Sequence, residues 1–532
     1  MIPLNQKSYI AGKWVSPEGK SFSSLNPRTG ETVATYASSG PAEVEEALAA
    51  ARAAYGEYRL LGGKAISGFL SAIADEIEAL GEGLLETADR ETGLGIPRLT
   101  GERARTCGQI RAFARLAEDG QWVGASIDTA QPDRQPLPKP DIRRMLRPIG
   151  PVAVFGASNF PFAFGAMGGD TASALAAGNP VVVKGHSFHP ATNELFAQAV
   201  DKAIRSRAMP RGVFSLLLGN GHELGAALVK HPFTQAVGFT GSLKGGRTFM
   251  DLAAAREVPI PVFTEMGSIN PVFVCAGALK SRAESIASGL SASATLGTGQ
   301  FCTSPGVVVA VKNETFAAFE NGLREKFAEK PRGVLLHTRI GQAFAQAVGE
   351  AGRLSEVEVL TLVDDLEGNF LTPPNVVLRT PAKTFLADGR LSEEIFGPAV
   401  LIVVCEDARQ MREVARNLAG NLTATIHADT EDGAQAAELL EILEQKAGRV
   451  IVNGYPTGVE VCPSMQHGGP YPAASLAFFT SVGEDAILRF ARPVAYQGVP
   501  NALLPEALRD ENTNGIFRKV NGKLTRDPVR AP

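Results

Sequence analysis

Cys302 stands in GTGQFCTSPG, residues 297–306, among glycines and turn-forming residues. A cysteine kept for packing usually has branched apolar neighbours, because a free thiol behaves as a small hydrophobe. Cys275 in PVFVCAGA and Cys405 in AVLIVVCED have such neighbours, and Cys302 does not. The glycines around it allow a ligand or another stretch of backbone to approach closely. A nucleophilic thiolate also needs a donor to hold an oxyanion and a group to move protons. A papain-type site would use a histidine as base, and of the histidines after Cys302 only His467, in QHGGP, sits in a plausible loop. No local signature of such a protease surrounds the cysteine.

Three other stretches offer partners. In GASNFPFAFG (156–165) Asn159 follows an apolar run and precedes Pro161, so its amide could donate to an oxyanion or simply form a turn. In FTEMGSINP (263–271) Glu265 ends an apolar run near Gly267, as a general base or as an ordinary carboxylate at a strand end. In SEEIFGPA (392–399) Glu394 and Phe396 precede a Gly-Pro turn. Metal chemistry has little support. There is no CxxC or HExxH, and His186 and His189 lack cysteine or carboxylate companions nearby.

The elements that must position these residues are regular. PVAVFGAS (151–158), PVVVKGH (180–186), GVFSLLLG (212–219), AVGFTG (236–241) and PVFTEMG (261–267) read as buried strands. Helices are expected over 164–178 and 191–207 and after the third and fourth strands; Leu195, Phe196, Ala199, Val200 and Ala203 recur at helical spacing. Strand–helix units with strands apolar on both faces make a parallel sheet covered by helices. Such sheets bind nucleotides at the carboxyl ends of their strands. A second α/β set follows: PVFVCAG, a helix over 281–296, GVVVAVK, PAVLIVVCED, LTATIHAD, a helix over 431–447 and RVIVNGY. The proline-rich segment 120–148 reads as a hairpin arm, RPVAYQGVP (492–500) as a late strand and Asn521-Gly522 as a hairpin turn.

Size and composition fit this reading. A chain of 532 residues is too long for one core, and a net charge of -4 gives no reason to expect a nucleic-acid or membrane partner. No apolar run reaches membrane-spanning length, and no signal peptide is recognisable. Five widely spaced cysteines, at 107, 275, 302, 405 and 462, argue against a disulfide framework and for the cytoplasm.

NFPF, VVVKGH, FTGSLKGG, EMGSINP, GQFCTSPG and EEIFGPA occur in an order and spacing that resembles the NAD(P)-dependent aldehyde dehydrogenase superfamily, over roughly residues 10–500. The resemblance implies two Rossmann-like α/β domains plus a β-arm that joins subunits into a homodimer or homotetramer. It places a cofactor-binding domain at 1–119 and 149–262, a catalytic domain at 263–480, and the arm with a C-terminal segment at 120–148 and 481–532. It makes Cys302 the nucleophile toward an aldehyde substrate, Asn159 and the Cys302 N–H the oxyanion donors, and Glu265 the base that activates water. It assigns the cofactor to Lys184, Ser187, Gly241, Ser242, Gly246, Glu394 and Phe396. Relatives that prefer NAD carry a glutamate where this chain has Ser187, and a carboxylate would repel a 2′-phosphate. NADP is therefore expected, with NAD the alternative.

Within that superfamily, 91–114, 158–186, 467–475 and 481–508 resemble a group that oxidises α-ketoglutaric semialdehyde (2,5-dioxovalerate) in sugar-acid or hydroxyproline breakdown. NADP-linked fatty aldehyde dehydrogenases are the rival reading, and a catalytically silent homologue a third. Phe162 and Ser304 are the candidate substrate residues. Arg282 is a possible carboxylate partner or a solvated helix residue.

Overall fold

The apolar runs after residue 151 pair with one another because neither of their faces can be given to water. The computed structural model describes residues 2–361 and 370–529. It places Val152–Phe155 at the centre of the five parallel strands of a seven-stranded sheet. Val181–Lys184 and Phe214–Leu217 lie to one side, Ala236–Thr240 and Val262–Glu265 to the other, all five parallel. An antiparallel pair from the start of the chain, Ser8–Ile10 and Lys13–Val15, extends the edge beyond Phe214–Leu217. The direction of winding reverses between Val152–Phe155 and Ala236–Thr240, which opens a crevice at their carboxyl ends. Phe69, Phe113, Phe196 and Phe214 fill the core on one face of this sheet, and Leu48, Phe155 and Leu228 that on the other.

The helix expected over 164–178 forms only as Gly169–Ala176. Residues before it fold back as turns, with the Ala157 N–H donating to the Phe164 carbonyl at 2.8 Å. A Cβ at Gly165 would lie 1.8 Å from the Pro161 carbonyl oxygen. The run of small residues there serves close packing of turns, not a helical face.

The second sheet also has seven strands, in the order Glu358–Val359, Val376–Pro381, Ala399–Cys405, Val307–Val311, Val272–Val274, Asn421–His427 and Ala447–Val452. All but the first pair in parallel. Helix Ala276–Thr295 leads from Val272–Val274 to the Cys302 loop. Cys275 and Cys405 are fully buried, as packing cysteines should be.

Segment 120–148 supplies Ser126–Asp128 and Ile142–Pro148 to a third sheet. Ala491–Gln497 pairs along the whole of Ile142–Pro148 and forms that sheet's edge. Arg518–Val520 and Lys523–Thr525 complete it through Asn521 and Gly522, both at positive φ (47° and 83°), as a tight hairpin requires. Among the described residues no helix is long and apolar enough to cross a membrane.

Candidate active site

Helix Ala276–Thr295 delivers the chain into a turn where Gly297, Thr298 and Gly299 all have positive φ (56°, 60° and 67°). Glycine adopts this conformation freely, whereas Thr298 carries strain of about 1–3 kcal/mol. A Cβ at Gly299 would lie 2.1 Å from the Gly397 carbonyl oxygen, so these glycines serve the turn and a backbone contact. The loop is then fastened from the other side. Asn270 donates through Nδ2 to the Cys302 carbonyl (2.8 Å) and the Ser304 carbonyl (2.9 Å). Its own Oδ1 accepts from the Ser268 and Thr423 hydroxyls.

Around the Cys302 sulfur the structure gathers residues far apart in sequence. His467 Nε2 lies 3.5 Å from Sγ and 2.9 Å from Glu265 Oε1. The Ser481 hydroxyl donates to Glu265 Oε2 at 2.5 Å. Glu265 and His467 are 3% and 1% exposed, so these contacts act in a poorly hydrated place. Burial alone would raise the Glu265 carboxyl, but His467, Ser481 and Cys302 together bring it below its ordinary value. Burial, and then the Glu265 charge, push the Cys302 thiol well above its ordinary range. The resting site therefore holds an ionised carboxylate beside a protonated thiol. The three ligand atoms lie within 4.8 Å of one another, a spacing that would also suit a metal ion.

Asn159 is buried, and its Nδ2 donates to the Gln300 carbonyl at 3.1 Å, two residues before the cysteine. An amide nitrogen carries two hydrogens, so one remains for a ligand. The Asn159 carbonyl accepts from Arg98 Nη2 at 2.6 Å. Glu102 fixes the next turn, accepting at Oε1 from the Phe162 and Ala163 N–H groups.

Phe162 corrects the sequence reading. Its ring is fully buried against Phe196, 5.4 Å between centroids, on the core side of the turn. Phe164 instead faces His467, 6.4 Å between rings, and Phe160 meets Phe301 edge-on at 5.1 Å. Arg282 is occupied elsewhere, donating to the Ala428 carbonyl and to Asn453 Oδ1. Ser304 lines a cavity of about 440 Å³ together with Ser268, Phe301, Glu394 and Phe396.

The expected cofactor residues fit a dinucleotide by their chemistry. Lys184 closes the strand beside Val152–Phe155, and burial lowers its ammonium to about 8. Ser187 follows, half-buried. Ser242 caps helix Leu243–Ala254 by accepting from the Gly245 N–H at 3.2 Å. Gly246 lets that helix sit on Met266, where a Cβ would come within 2.5 Å of the sulfur. The helix start at the crevice suits a phosphate group. Across from it, a Cβ on Gly267 would lie 2.5 Å from Glu394 Oε2, so this glycine keeps space for the carboxylate.

Ser481 and Asn270 complete the site without having been named from the sequence, and His467, weighed there only as the base of a papain-type site, lies beside the Cys302 sulfur. Asn270 lies inside the EMGSINP stretch, and His467 was the one loop histidine after Cys302. Nothing local to Asn270 or Ser481 signals contact with the site.

The family model for the aldehyde dehydrogenase family matches residues 14–471. The chain is 47% identical to alpha-ketoglutaric semialdehyde dehydrogenase 2 of Azospirillum brasilense, over 98% of this chain and 100% of that one. It is 43% identical to the alpha-ketoglutaric semialdehyde dehydrogenase of Acinetobacter baylyi, over 99% and 100%. Among solved structures, betaine aldehyde dehydrogenase of Staphylococcus aureus superimposes with a TM-score of 0.79 at 20% identity, covering 93% of this chain and 96% of that one. A 1-pyrroline-5-carboxylate dehydrogenase from Thermus with bound NAD gives 0.78 at 23% identity, covering 92% of each chain. These two likenesses concern the fold.

Proposed function

The chain belongs to the aldehyde dehydrogenase family, and from that premise we propose that it oxidises α-ketoglutaric semialdehyde to 2-oxoglutarate with NADP or NAD. The observation that carries the chemistry is the Cys302–His467–Glu265 cluster. Sγ adds to the aldehyde carbon while its proton passes to His467, which holds it beside the ionised Glu265 carboxylate. The free hydrogen of the Asn159 amide and the Cys302 N–H receive the negative charge on the oxygen of the thiohemiacetal. A bound nicotinamide supplies the two-electron acceptor that turns this adduct into a thioester. Lys184, Ser187, Gly241, Ser242, Gly246, Glu394 and Phe396 would hold the dinucleotide.

Glu265, ionised at rest, then takes a proton from the water that attacks the thioester. The acid leaves, and His467 is placed to return a proton to sulfur. The two relatives above 40% identity, both alpha-ketoglutaric semialdehyde dehydrogenases, support this substrate. Ser187, where a carboxylate would repel a 2′-phosphate, supports a preference for NADP. The domain limits given above, except that strand Val262–Glu265 pairs in the first sheet and carries the first boundary past 265, and a homodimer or homotetramer built through the edge strand Ala491–Gln497, belong to the same reading.

The test is turnover of purified enzyme on 2-oxoglutarate semialdehyde, succinate semialdehyde, glutaraldehyde and decanal with each cofactor. The first should give the highest kcat/KM, and NADP should match or exceed NAD. A strong preference for decanal would move the assignment to the fatty-aldehyde rival. Tenfold higher efficiency with NAD would overturn the NADP preference. No turnover on any of the four would favour the silent homologue.

A further inference from the structure

Helix Ile96–Asp119 carries Arg98 and Arg105 two turns apart, on one side of the helix. Arg98 is committed, donating to the Asn159 carbonyl. Arg105 is not. Its guanidinium carbon lies 5.7 Å from the Phe160 ring centre and 5.8 Å from that of Phe164. Its Nε and Nη2 are buried and have no hydrogen-bond partner among the described residues. Phe164 is also the ring that faces His467, so Arg105 stands across one aromatic ring from His467.

We propose that Arg105 binds the terminal carboxylate of the aldehyde substrate and so selects for aldehydes that end in an acid. The inference rests on the function proposed above and names the residue that recognises that substrate class. A guanidinium is a planar fork that stacks on aromatic rings and pairs with a carboxylate through two parallel hydrogen bonds. Here the guanidinium lies near two rings while Nε and Nη2 have no partner among the described residues, and unpaired buried donors are costly unless a ligand satisfies them.

The other arginines near the site each spend one Nη on backbone carbonyls, leaving one donor apiece, Arg98 Nη1 and Arg449 Nε, without a partner among the described residues, against two on Arg105. Arg449 donates through Nη2 to the Pro456 and Gly458 carbonyls. The carboxylate closest in sequence, Glu102, has its Oε1 on two backbone N–H groups and makes no ion pair with Arg105 among the described residues. The Arg105 charge also pulls against the rise of the Cys302 thiol, which places it within electrostatic reach of the sulfur. A substrate held at one end by Cys302 and at the other by Arg105 has an aldehyde and an acid at opposite ends of a short chain. A long alkyl chain would leave the guanidinium buried and unmatched, which disfavours decanal.

The experiment compares full-length wild type with Arg105→Met and Arg105→Lys on 2-oxoglutarate semialdehyde and on pentanal, an uncharged aldehyde of equal length. Binding of the product, 2-oxoglutarate, is measured alongside by calorimetry. In Arg105→Met the ratio of kcat/KM for the semialdehyde to that for pentanal should fall at least about 30-fold. KM should carry most of the change, and product affinity should fall in parallel. Arg105→Lys should recover part of the ratio, since it restores the charge without the fork. A ratio that moves less than about 3-fold in both variants would overturn the assignment, as would equal losses on both aldehydes. A wild type that does not prefer the semialdehyde to pentanal would overturn the proposed function, and this inference with it.

Discussion

In the first sheet the residues brought to the site follow or close their strands. Asn159 comes after Val152–Phe155, Lys184 closes Val181–Lys184, Ser242 follows Ala236–Thr240, and Glu265 closes Val262–Glu265. In the second sheet they come before the strands: Asn270 ahead of Val272–Val274, Cys302 ahead of Val307–Val311, Glu394 and Phe396 ahead of Ala399–Cys405. One sheet therefore turns its carboxyl ends to the site and the other its amino ends. A side chain at the end of a buried parallel strand is held by the ladder behind it. A residue in the loop before a strand has no such ladder and must be fastened by side chains. Asn270 on two carbonyls, the Gly299–Gly397 contact and the left-handed turn at 297–299 do that for Cys302.

The contrast can be broken in three places. Cys302→Ala removes the proposed nucleophile and should lower turnover by at least about 10⁴-fold, read as reduced nicotinamide formed, with an unchanged unfolding midpoint. A large residual rate would move the covalent step away from this loop. Glu265→Gln, on the strand-end side, should slow the steady state by about 10²–10⁴-fold. The first turnover should survive as a burst, because only thioester hydrolysis needs this base.

The same variant tests the electrostatic link between the sheets. The folded thiol sits above its ordinary value, so the thiolate fraction, and alkylation of Cys302 by iodoacetamide, should rise with pH through the alkaline range. Removing the Glu265 charge should shift that profile to lower pH; an unshifted profile would show the two sides to be uncoupled. The smallest change is expected from Asn270→Ala, which leaves two loop carbonyls without their donor. It should cost about 1–3 kcal/mol in denaturant unfolding and about tenfold in turnover. Loss of activity at full stability would mean that the loop does not depend on side-chain fastening.

The same contrast explains what could be read from the sequence. Asn159, Lys184 and Glu265 stand where an apolar run stops, and the rule that parallel sheets present functional groups at their carboxyl ends marks them. Cys302 was visible by its company of small residues, although the glycines proved to serve a turn and a backbone contact. His467 was visible only as a base for a papain-type site and was set aside with it, because nothing local records that a loop 165 residues further on folds back onto the sulfur. Phe162 was misplaced for a related reason. In NFPF the chain runs through turns, and without a period the inward and outward rings cannot be told apart. Arg105 was hidden by its helix, where one more arginine looks like part of a solvated face.

The raised thiol of Cys302 has a consequence for durability. Peroxides and other oxidants attack the thiolate, and the first step toward irreversible sulfur acids begins there. By burying the sulfur beside an ionised carboxylate, the resting enzyme keeps its nucleophile in the form that oxidants attack least. The carboxylate assigned to activating water thus also shields the sulfur from damage between turnovers.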